Sequence, residues 1–314
     1  MAETVNVDNF VRAETARMLD GTLAQSGAVN RWVHLREPTP LDRQAVIRMN
    51  RDTLYSAAIV DIRDGATLTV PDVGDRYLSV MVINEDHFIN RVIHDPGEHE
   101  LSVAEFDTPY LMLGVRMFVD PDDPDDVATV NQLQDHLRVD AGSAVPYAHA
   151  DFDAESLDAT RTALLTLSQG LPDMLRTFGT SQHVDPVRHL IGTASGWGGL
   201  PEDEAFYAVV STPRPSGRYR MTLGDVPVDA FWSITIYNRD GFLEPNDFDA
   251  CSLNSVTAVP GDDGSVTIDL APTPGNHPNH LYVMDGWNYT IRLYRPRAEV
   301  LDGRWTVPAP EPGG

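Results

Sequence analysis

Residues 54–83 read LYSAAIVDIRDGATLTVPDVGDRYLSVMVI, and the reading of this stretch decides the fold. Three runs rich in β-branched and aromatic residues, LYSAAIVDI (54–62), ATLTV (66–70) and RYLSVMVI (76–83), are separated by the turn formers Asp64-Gly65 and Pro71-Asp72. Such runs, bounded by such turns, predict strands in an antiparallel meander or sandwich. PYLMLGVRMFV (109–119) extends the pattern beyond the turn Asp95-Pro96-Gly97. After the GWGG stretch at Gly196–Gly199, strand-forming runs return: AFYAVVS (205–211), RYRMTL (218–223), AFWSITIY (230–237), SVTIDL (265–270) and WNYTIRLYR (287–295).

Helical periodicity frames and interrupts these strands. From Asp8 to Gln25, residues Phe10, Val11, Met18, Leu19 and Leu23 recur on one side, and Pro38 and Pro40 break the pattern beyond. A second helix is expected from Asp123, with Pro124 in the first helical position and Asp125 and Asp126 at the positive end of the dipole. Val127, Val130, Leu133 and Leu137 form its apolar face. A third is expected over Ala154–Gln169, with Leu157, Leu164 and Leu165 inward and Gly170 as its stop. A short fourth is expected to end near Gly179. The fold class is therefore mainly β, α+β overall, with two β-sandwich or jelly-roll-like domains and a helical insert between them. The expected boundaries are 1–122 for an N-terminal β-rich domain with a leading helix, 123–195 for the insert, and 196–314 for the C-terminal sandwich.

Composition narrows the function classes. The 314 residues suit about two domains. No apolar stretch reaches the roughly 20 residues that span a bilayer, and no basic segment followed by an apolar run opens the chain. A cytoplasmic protein with no membrane partner is the expectation. One cysteine, Cys251, excludes a disulfide framework and a Cys-rich zinc site. It reads as a packed small hydrophobe or as a nucleophile. The formal net charge is −24 and lysine is absent, which removes a Schiff-base nucleophile and the lysine of a phosphate-binding loop. Nucleic acid is not expected as a partner, because no basic stripe is available to neutralise phosphates. The acidic surface suits a high-salt setting, where self-repulsion is screened; a GC-rich coding sequence that writes its basic residues as Arg explains it equally.

Two polar clusters carry the candidate chemistry. In Asn50-Arg51-Asp52-Thr53, with Tyr55 just beyond, Arg51 can clamp an oxyanion bidentately. Asp52 can act as a base or as the partner that fixes Arg51, and a structural Arg–Asp pair in a Thr-closed turn is the alternative. In Asn84-Glu85-Asp86-His87, strand alternation would place Glu85 and His87 on one face as an acid–base pair; solvated charges at a strand end are the alternative. The expected catalytic residues are Glu85, His87 and Asp52. Asn50, Arg51, Tyr55, Trp287 and Tyr289 are the expected substrate-binding residues, the last two as an apolar wall. His94 could join Glu85 and His87, but no HxH or HExxH spacing is present, so no metal is expected. His277 and His280 lie in an irregular loop and read as exposed. Trp232, Tyr237, Trp287, Tyr289 and Tyr294 read as a sandwich core stripe or a pocket wall. Glycine-rich nucleotide motifs and a Gly-x-Ser-x-Gly elbow are absent, so no organic cofactor is expected.

Segments spread along the chain resemble one family. They are VDNFVRAET from Val7, RMNRDTLYSAAIVDI from Arg48, VINEDHF from Val82, VDPDDPDDV from Val119, DPVRHLIGTASGWGG from Asp185, VPVDAFWSITIYN from Val226, DGSVTI from Asp263 and GWNYTIRLYRPRAEVLDGRW from Gly286. Together they resemble the family that pairs domain of unknown function 1254, N-terminal, with domain of unknown function 1214, C-terminal. The resemblance implies a β-rich two-domain fold with a helical segment between, and no activity. Three segments depart from the family's usual form: Asp107-Thr108-Pro109-Tyr110 lacks an arginine, Cys251 replaces a tyrosine, and 279–285 reads NHLYVMD. An altered pocket or loop drift accounts for these changes. The leading expectation is a cofactor-independent enzyme doing acid–base chemistry, by hydrolysis, elimination or isomerisation, on a small molecule. A non-catalytic binder of a sugar or organic acid is the alternative, and self-association is left open.

Overall fold

The computed structural model describes residues 2–44, 47–169, 171 and 173–313. The chain is mainly β and divides into two compact units, one made of Met1–Arg36, Leu54–Phe118 and Ala128–Glu202, the other of Glu37–Thr53, Val119–Val127 and Asp203–Gly314. The expected boundaries at 122/123 and 195/196 describe a linear succession. The chain instead crosses between units at several points, and 128–202 groups with the first unit. No described helix is long and apolar enough to cross a membrane.

The first unit contains α1 (Phe10–Ser26), β1 (Trp32–His34), β2 (Thr53–Asp61), β3 (Ala66–Val70), β4 (Leu78–Asn84), β5 (Ile89–Ile93), β6 (Gly97–Leu101), α2 (Val103–Phe106), β7 (Tyr110–Phe118), α3 (Pro124–Gln134), β8 (Arg138–Ala141), α4 (Ala154–Ser168) and α5 (Pro186–Gly196). The unit boundaries fall inside β2 and α3. One sheet runs β1-β2-β7-β4-β5 and a second β6-β3-β8. β4 is buried along its whole length, as suits a near-continuous apolar strand, whereas β3 alternates buried and half-buried residues. Gly27 ends α1 in the left-handed region, φ 77°, and its N–H closes on the Leu23 carbonyl.

α1 buries two sides rather than the single expected stripe. Leu19 packs with Ile59 and Tyr110 of the large sheet. Phe10 and Ala13 pack with Leu157 and Leu164 of α4 and Ile191 of α5. Between them lies a buried glutamate, Glu14, which accepts from Arg17 at 2.6 and 3.1 Å and from Arg161. The pairing removes the cost of an isolated buried charge. Asp123 accepts from the N–H of Asp125 at 2.9 Å, at the start of α3, as expected. Gly170, expected to stop α4, lies outside the described residues. The short helix expected to end near Gly179 does not form. Its place in the order is taken by α5, which Asp185 caps through the N–H groups of Val187 and Arg188, with Pro186 in the first turn. The Asp-Pro signal that marks α3 marks α5 equally.

The second unit contains β9 (Ala205–Arg214), β10 (Tyr219–Leu223), β11 (Trp232–Tyr237), β12 (Ser252–Asn254), β13 (Val266–Ala271), β14 (His280–Tyr282), β15 (Trp287–Tyr294), α6 (Ala298–Leu301) and β16 (Glu311–Pro312). Its two sheets run β12-β11-β15-β9 and β14-β13-β10-β16. Met221, Ile268, Leu270 and Leu281 from one sheet share a core with Trp232, Ile234, Trp287 and Ile291 from the other, so the unit is a β-sandwich. The proline-rich tail supplies the edge strand β16, opposite Tyr219 and Arg220.

Candidate active site

The sheet β12-β11-β15-β9 has one apolar and one polar face, and both are buried. Antiparallel partners share a face. The pairs Trp232↔Leu293, Ile234↔Ile291 and Ile236↔Tyr289 therefore line the sandwich core. The alternate pairs Ser233↔Arg292, Thr235↔Thr290 and Tyr237↔Asn288, with Asn254 opposite Ser233, line the other side. All seven of these polar side chains are buried. Burying so many polar groups is tolerable only if they find partners, and several partners come from the segment before β2. The carbonyl of Arg48 accepts from Arg292 Nη2 at 2.8 Å, and the carbonyl of Met49 accepts from the Tyr237 hydroxyl at 3.0 Å. Asn50 donates through Nδ2 to the Tyr294 hydroxyl at 2.9 Å.

Asp52 sits in the middle of this arrangement. Its N–H donates to Asn50 Oδ1 at 2.7 Å, an Asx turn that explains the Asn-x-Asp spacing. Its Oδ1 accepts from Asn254 Nδ2 at 3.3 Å. The carboxyl is fully buried, and Ser233 is its second side-chain hydrogen-bond partner. Burial raises its pKa above the ordinary aspartate value, and Arg292, Ser233, Asn254 and Arg51 only partly oppose that. Arg292 is buried as well. It donates to Thr235 Oγ1 at 2.9 Å and to the Tyr237 hydroxyl at 2.7 Å. Burial alone would lower its pKa, but Tyr237, Tyr294 and Asp52 outweigh it, so the guanidinium stays charged.

Toward solvent, Arg51 is half-buried and donates to the Thr39 carbonyl at 2.8 Å. Asp122, exposed to solvent, lies within electrostatic reach of Arg51. Cys251 is buried, and burial pushes its thiol up to about 11. A thiol in that state is a packed hydrophobe and not a nucleophile.

The remaining expected residues are distributed differently. Trp287 and Tyr289 lie in the same unit as Asp52 but on the opposite, apolar face of β15, within the sandwich core. Trp287 Nε1 donates to the Pro215 carbonyl at 3.1 Å. The expected aromatic stripe is in fact split, because Tyr237 and Tyr294 stand on the polar face while Trp232, Trp287 and Tyr289 stand on the apolar one. Tyr55, Glu85 and His87 belong to the first unit. Tyr55 is half-buried on β2, under the Arg116 guanidinium at 5.7 Å. The strands β2 and β4 that follow or precede the two polar clusters are not neighbours, since β7 lies between them.

Glu85 and His87 do not share a strand face. β4 ends at Asn84, whose Oδ1 accepts from the N–H groups of Asp86 and Phe88 and folds 85–88 into a turn, with His87 at φ 61°. The turn sends the two side chains to separate partners. Glu85 pairs with Arg12 at 3.1 Å and accepts from the Tyr110 N–H at 3.3 Å. Burial raises its pKa, and Arg12 opposes that rise. His87 is fully buried, with Nδ1 2.8 Å from Thr193 Oγ1 and Nε2 accepting from the Gly198 N–H at 2.9 Å. Its ring stacks on Trp197 at 5.1 Å and His189 at 5.4 Å. Burial drives its pKa well below the ordinary value, with His189 adding to the effect. His94 is turned to the Leu78 carbonyl at 2.7 Å, and His280 to the Ala271 carbonyl at 3.0 Å. Among the described residues, no three His, Cys, Asp or Glu side chains converge as a metal ion would require.

Arg292, Arg48, Ser233 and Asn254 were not singled out from the sequence. The available signal was parity. Ser233, Thr235 and Tyr237, and Thr290, Arg292 and Tyr294, alternate with apolar residues through two strands, and a mid-strand arginine in such a run marks a polar face.

Comparison with known proteins places the chain in a family. A family model described as a protein of unknown function, DUF1254, matches residues 29–98, and one described as a protein of unknown function, DUF1214, matches residues 211–298. The chain is similar in structure to the VPA0106 protein from Vibrio parahaemolyticus, at 17% identity over 98% of both chains with a TM-score of 0.76. It is also similar to an uncharacterised protein from Burkholderia cenocepacia, at 15% identity over 96% of this chain and 85% of that one, with a TM-score of 0.53. At these identities the likeness is one of fold. No curated protein matches the chain.

Proposed function

Since the chain belongs to the family that pairs DUF1254 with DUF1214, we propose a function from its own geometry: acid–base chemistry on a small molecule without an organic cofactor, with Asp52 moving the proton. The observation that carries this reading is the state of the Asp52 carboxyl. It is fully buried and raised in pKa, with only the neutral side chains of Asn254 and Ser233 as side-chain hydrogen-bond partners among the described residues. A carboxyl of this kind holds or releases a proton nearer neutrality than an exposed aspartate does. Arg292, fixed by Thr235 and Tyr237, supplies a preorganised positive charge for negative charge developing on a substrate. Arg51, half-buried and within electrostatic reach of Asp52, would orient an oxyanion or carbonyl as the substrate enters. Glu85 and His87 have no part in this assignment, because His87 has both ring nitrogens engaged and Glu85 is paired with Arg12.

The strong negative charge favours a small-molecule substrate over a nucleic acid. A buried, unpaired thiol suits a reducing, cytoplasmic setting. Non-catalytic binding of a sugar or organic acid is the second reading, favoured by the density of fixed hydrogen-bond donors on the polar face. A screen of small esters, lactones and hydroxy acids, followed by a pH-indicator dye, tests the first. Asp52→Asn should lower turnover by about 10²-fold or more with the fold intact by circular dichroism. Undiminished turnover in that variant would remove Asp52 from the role. Saturable binding with no turnover at any pH would select the second reading.

A further inference from the structure

Thr235 and Thr290 face each other across β11 and β15, and each carries a guanidinium. Arg292 donates through Nη1 to Thr235 Oγ1 at 2.9 Å, and Arg48 donates through Nη1 to Thr290 Oγ1 at 3.0 Å. Tyr237 binds both cations. Arg48 lies over its ring, 5.3 Å from the centroid, while Arg292 Nη2 is 2.7 Å from its hydroxyl. Paired residues of an antiparallel ladder have Cα atoms about 5 Å apart, so two like charges are held on one residue pair of one sheet face. Arg48 adopts φ 57°, a conformation unfavourable for a side-chain-bearing residue. The hydrogen bond from Arg292 to its carbonyl helps to hold it there.

The acceptors that hold these cations are neutral: two threonine hydroxyls, a phenol and a main-chain carbonyl. Neither arginine forms an ion pair with a carboxylate among the described residues. Asp52 is a carboxyl that acts on Arg292, and Arg48 feels Arg292 as a like charge. Arg48, Arg292 and Arg51 outnumber the Asp52 carboxyl set among them, and such a positive surplus is costly away from bulk water unless an anion neutralises it. Ser233, the register partner of Arg292, is buried on the same face and is a side-chain hydrogen-bond partner of the Asp52 carboxyl.

We propose that this polar face binds a small organic monocarboxylate, its two oxygens taken by the guanidiniums of Arg48 and Arg292. A planar carboxylate matches the fork geometry of guanidinium and offers the negative charge that the site lacks. The ligand is small because Arg292 and Ser233 are buried and only Arg48 is half-buried at the edge of the site. This inference names the substrate class for the site assigned to Asp52 and rests on that reading only for its location.

The test is a thermal-shift and calorimetric titration of the full chain with acetate, propionate and inorganic phosphate, at constant ionic strength set by chloride. Acetate or propionate should raise the melting temperature saturably, and Arg48→Met should weaken that binding at least about tenfold, the scale expected for loss of a charge-assisted contact. Arg292→Met should abolish it. Because Arg292 is buried and its variant can fail to fold, the half-buried Arg48 carries the decision. A rise equal to that in chloride alone, or affinity unchanged in Arg48→Met, would overturn the proposal. Phosphate binding tighter than acetate would overturn the monocarboxylate assignment. Carboxylate binding with no turnover would leave this inference standing and remove the acid–base reading; Asp52-dependent turnover of neutral substrates without carboxylate binding would do the reverse.

Discussion

The backbone N–H of Gly198 donates to Nε2 of His87 across 2.9 Å. An Nε2 that accepts a hydrogen bond carries no proton, so the ring proton of the neutral imidazole is on Nδ1, where it is donated to Thr193 Oγ1 at 2.8 Å. The threonine hydroxyl passes the chain on to the His189 carbonyl at 2.9 Å. His87 is thereby a structural link between the β4–β5 turn and α5, and protonating it would break the contact to Gly198.

This gives a pH prediction. Burial, with His189, holds the His87 pKa well below its unfolded value, and His189 is lowered too, by burial, against the carbonyls of Asp86 and Thr177 and the Asp86 carboxylate that oppose it. Below about pH 6.5 the unfolded chain therefore binds more protons than the folded one, so stability is full above that pH. Each group removes up to about 1.4 kcal/mol per pH unit as pH falls further. Calorimetric melting between pH 7 and 5 should show a steeper loss in the native protein than in His87→Asn. Equal slopes would remove His87 from the transition.

Asp52 has the opposite sign. Its folded pKa is raised above the unfolded value, chiefly by burial, so the stability it contributes is present below about pH 4 and lost as pH rises through the folded pKa. Asp52→Asn should melt higher than the native protein at pH 8 and no higher at pH 4, while turnover falls. Loss of stability at both pH values would mean that the carboxylate is needed to balance Arg292.

Cys251 should be inert in the folded state. With its pKa pushed up to about 11 by burial, only about one thiol in a thousand is ionised at pH 8, and that one is buried. A thiol-reactive dye should label the denatured chain stoichiometrically and the native chain negligibly over the same hour. Rapid native labelling would show that the neighbourhood of Arg51 and Asp122 opens in solution.

The charge of −24 predicts a salt response. Surplus carboxylates repel one another at low ionic strength and are screened as it rises. The melting temperature should climb steadily from dilute buffer to molar KCl. A flat response would favour composition inherited from the coding sequence over adaptation to salt.

What the residues determine locally could be read from the chain by itself. ATLTV is β3 to the residue, because β-branched alternation and an Asp-Gly turn act within a few positions of one another. The Asp-Pro start of α3 and the run of α4 are equally local, as are the main-β class and the two family domains. Strand pairing was not legible. Sequential neighbours β2, β3 and β4 divide between two sheets, and β7 inserts between β2 and β4, because pairing follows burial of faces over long separations. The site divides in the same way. Asn50 and Asp52 stood out as a polar cluster, but their chemistry depends on Arg292, which meets residue 48 across 244 positions and Tyr237 across 55. A mid-strand arginine looks identical in sequence whether its face is wet or covered. Only the tertiary structure lays Arg48, Met49 and Asn50 over that face, takes it out of water, and so turns a row of ordinary polar side chains into a charged site whose interactions a low dielectric makes strong.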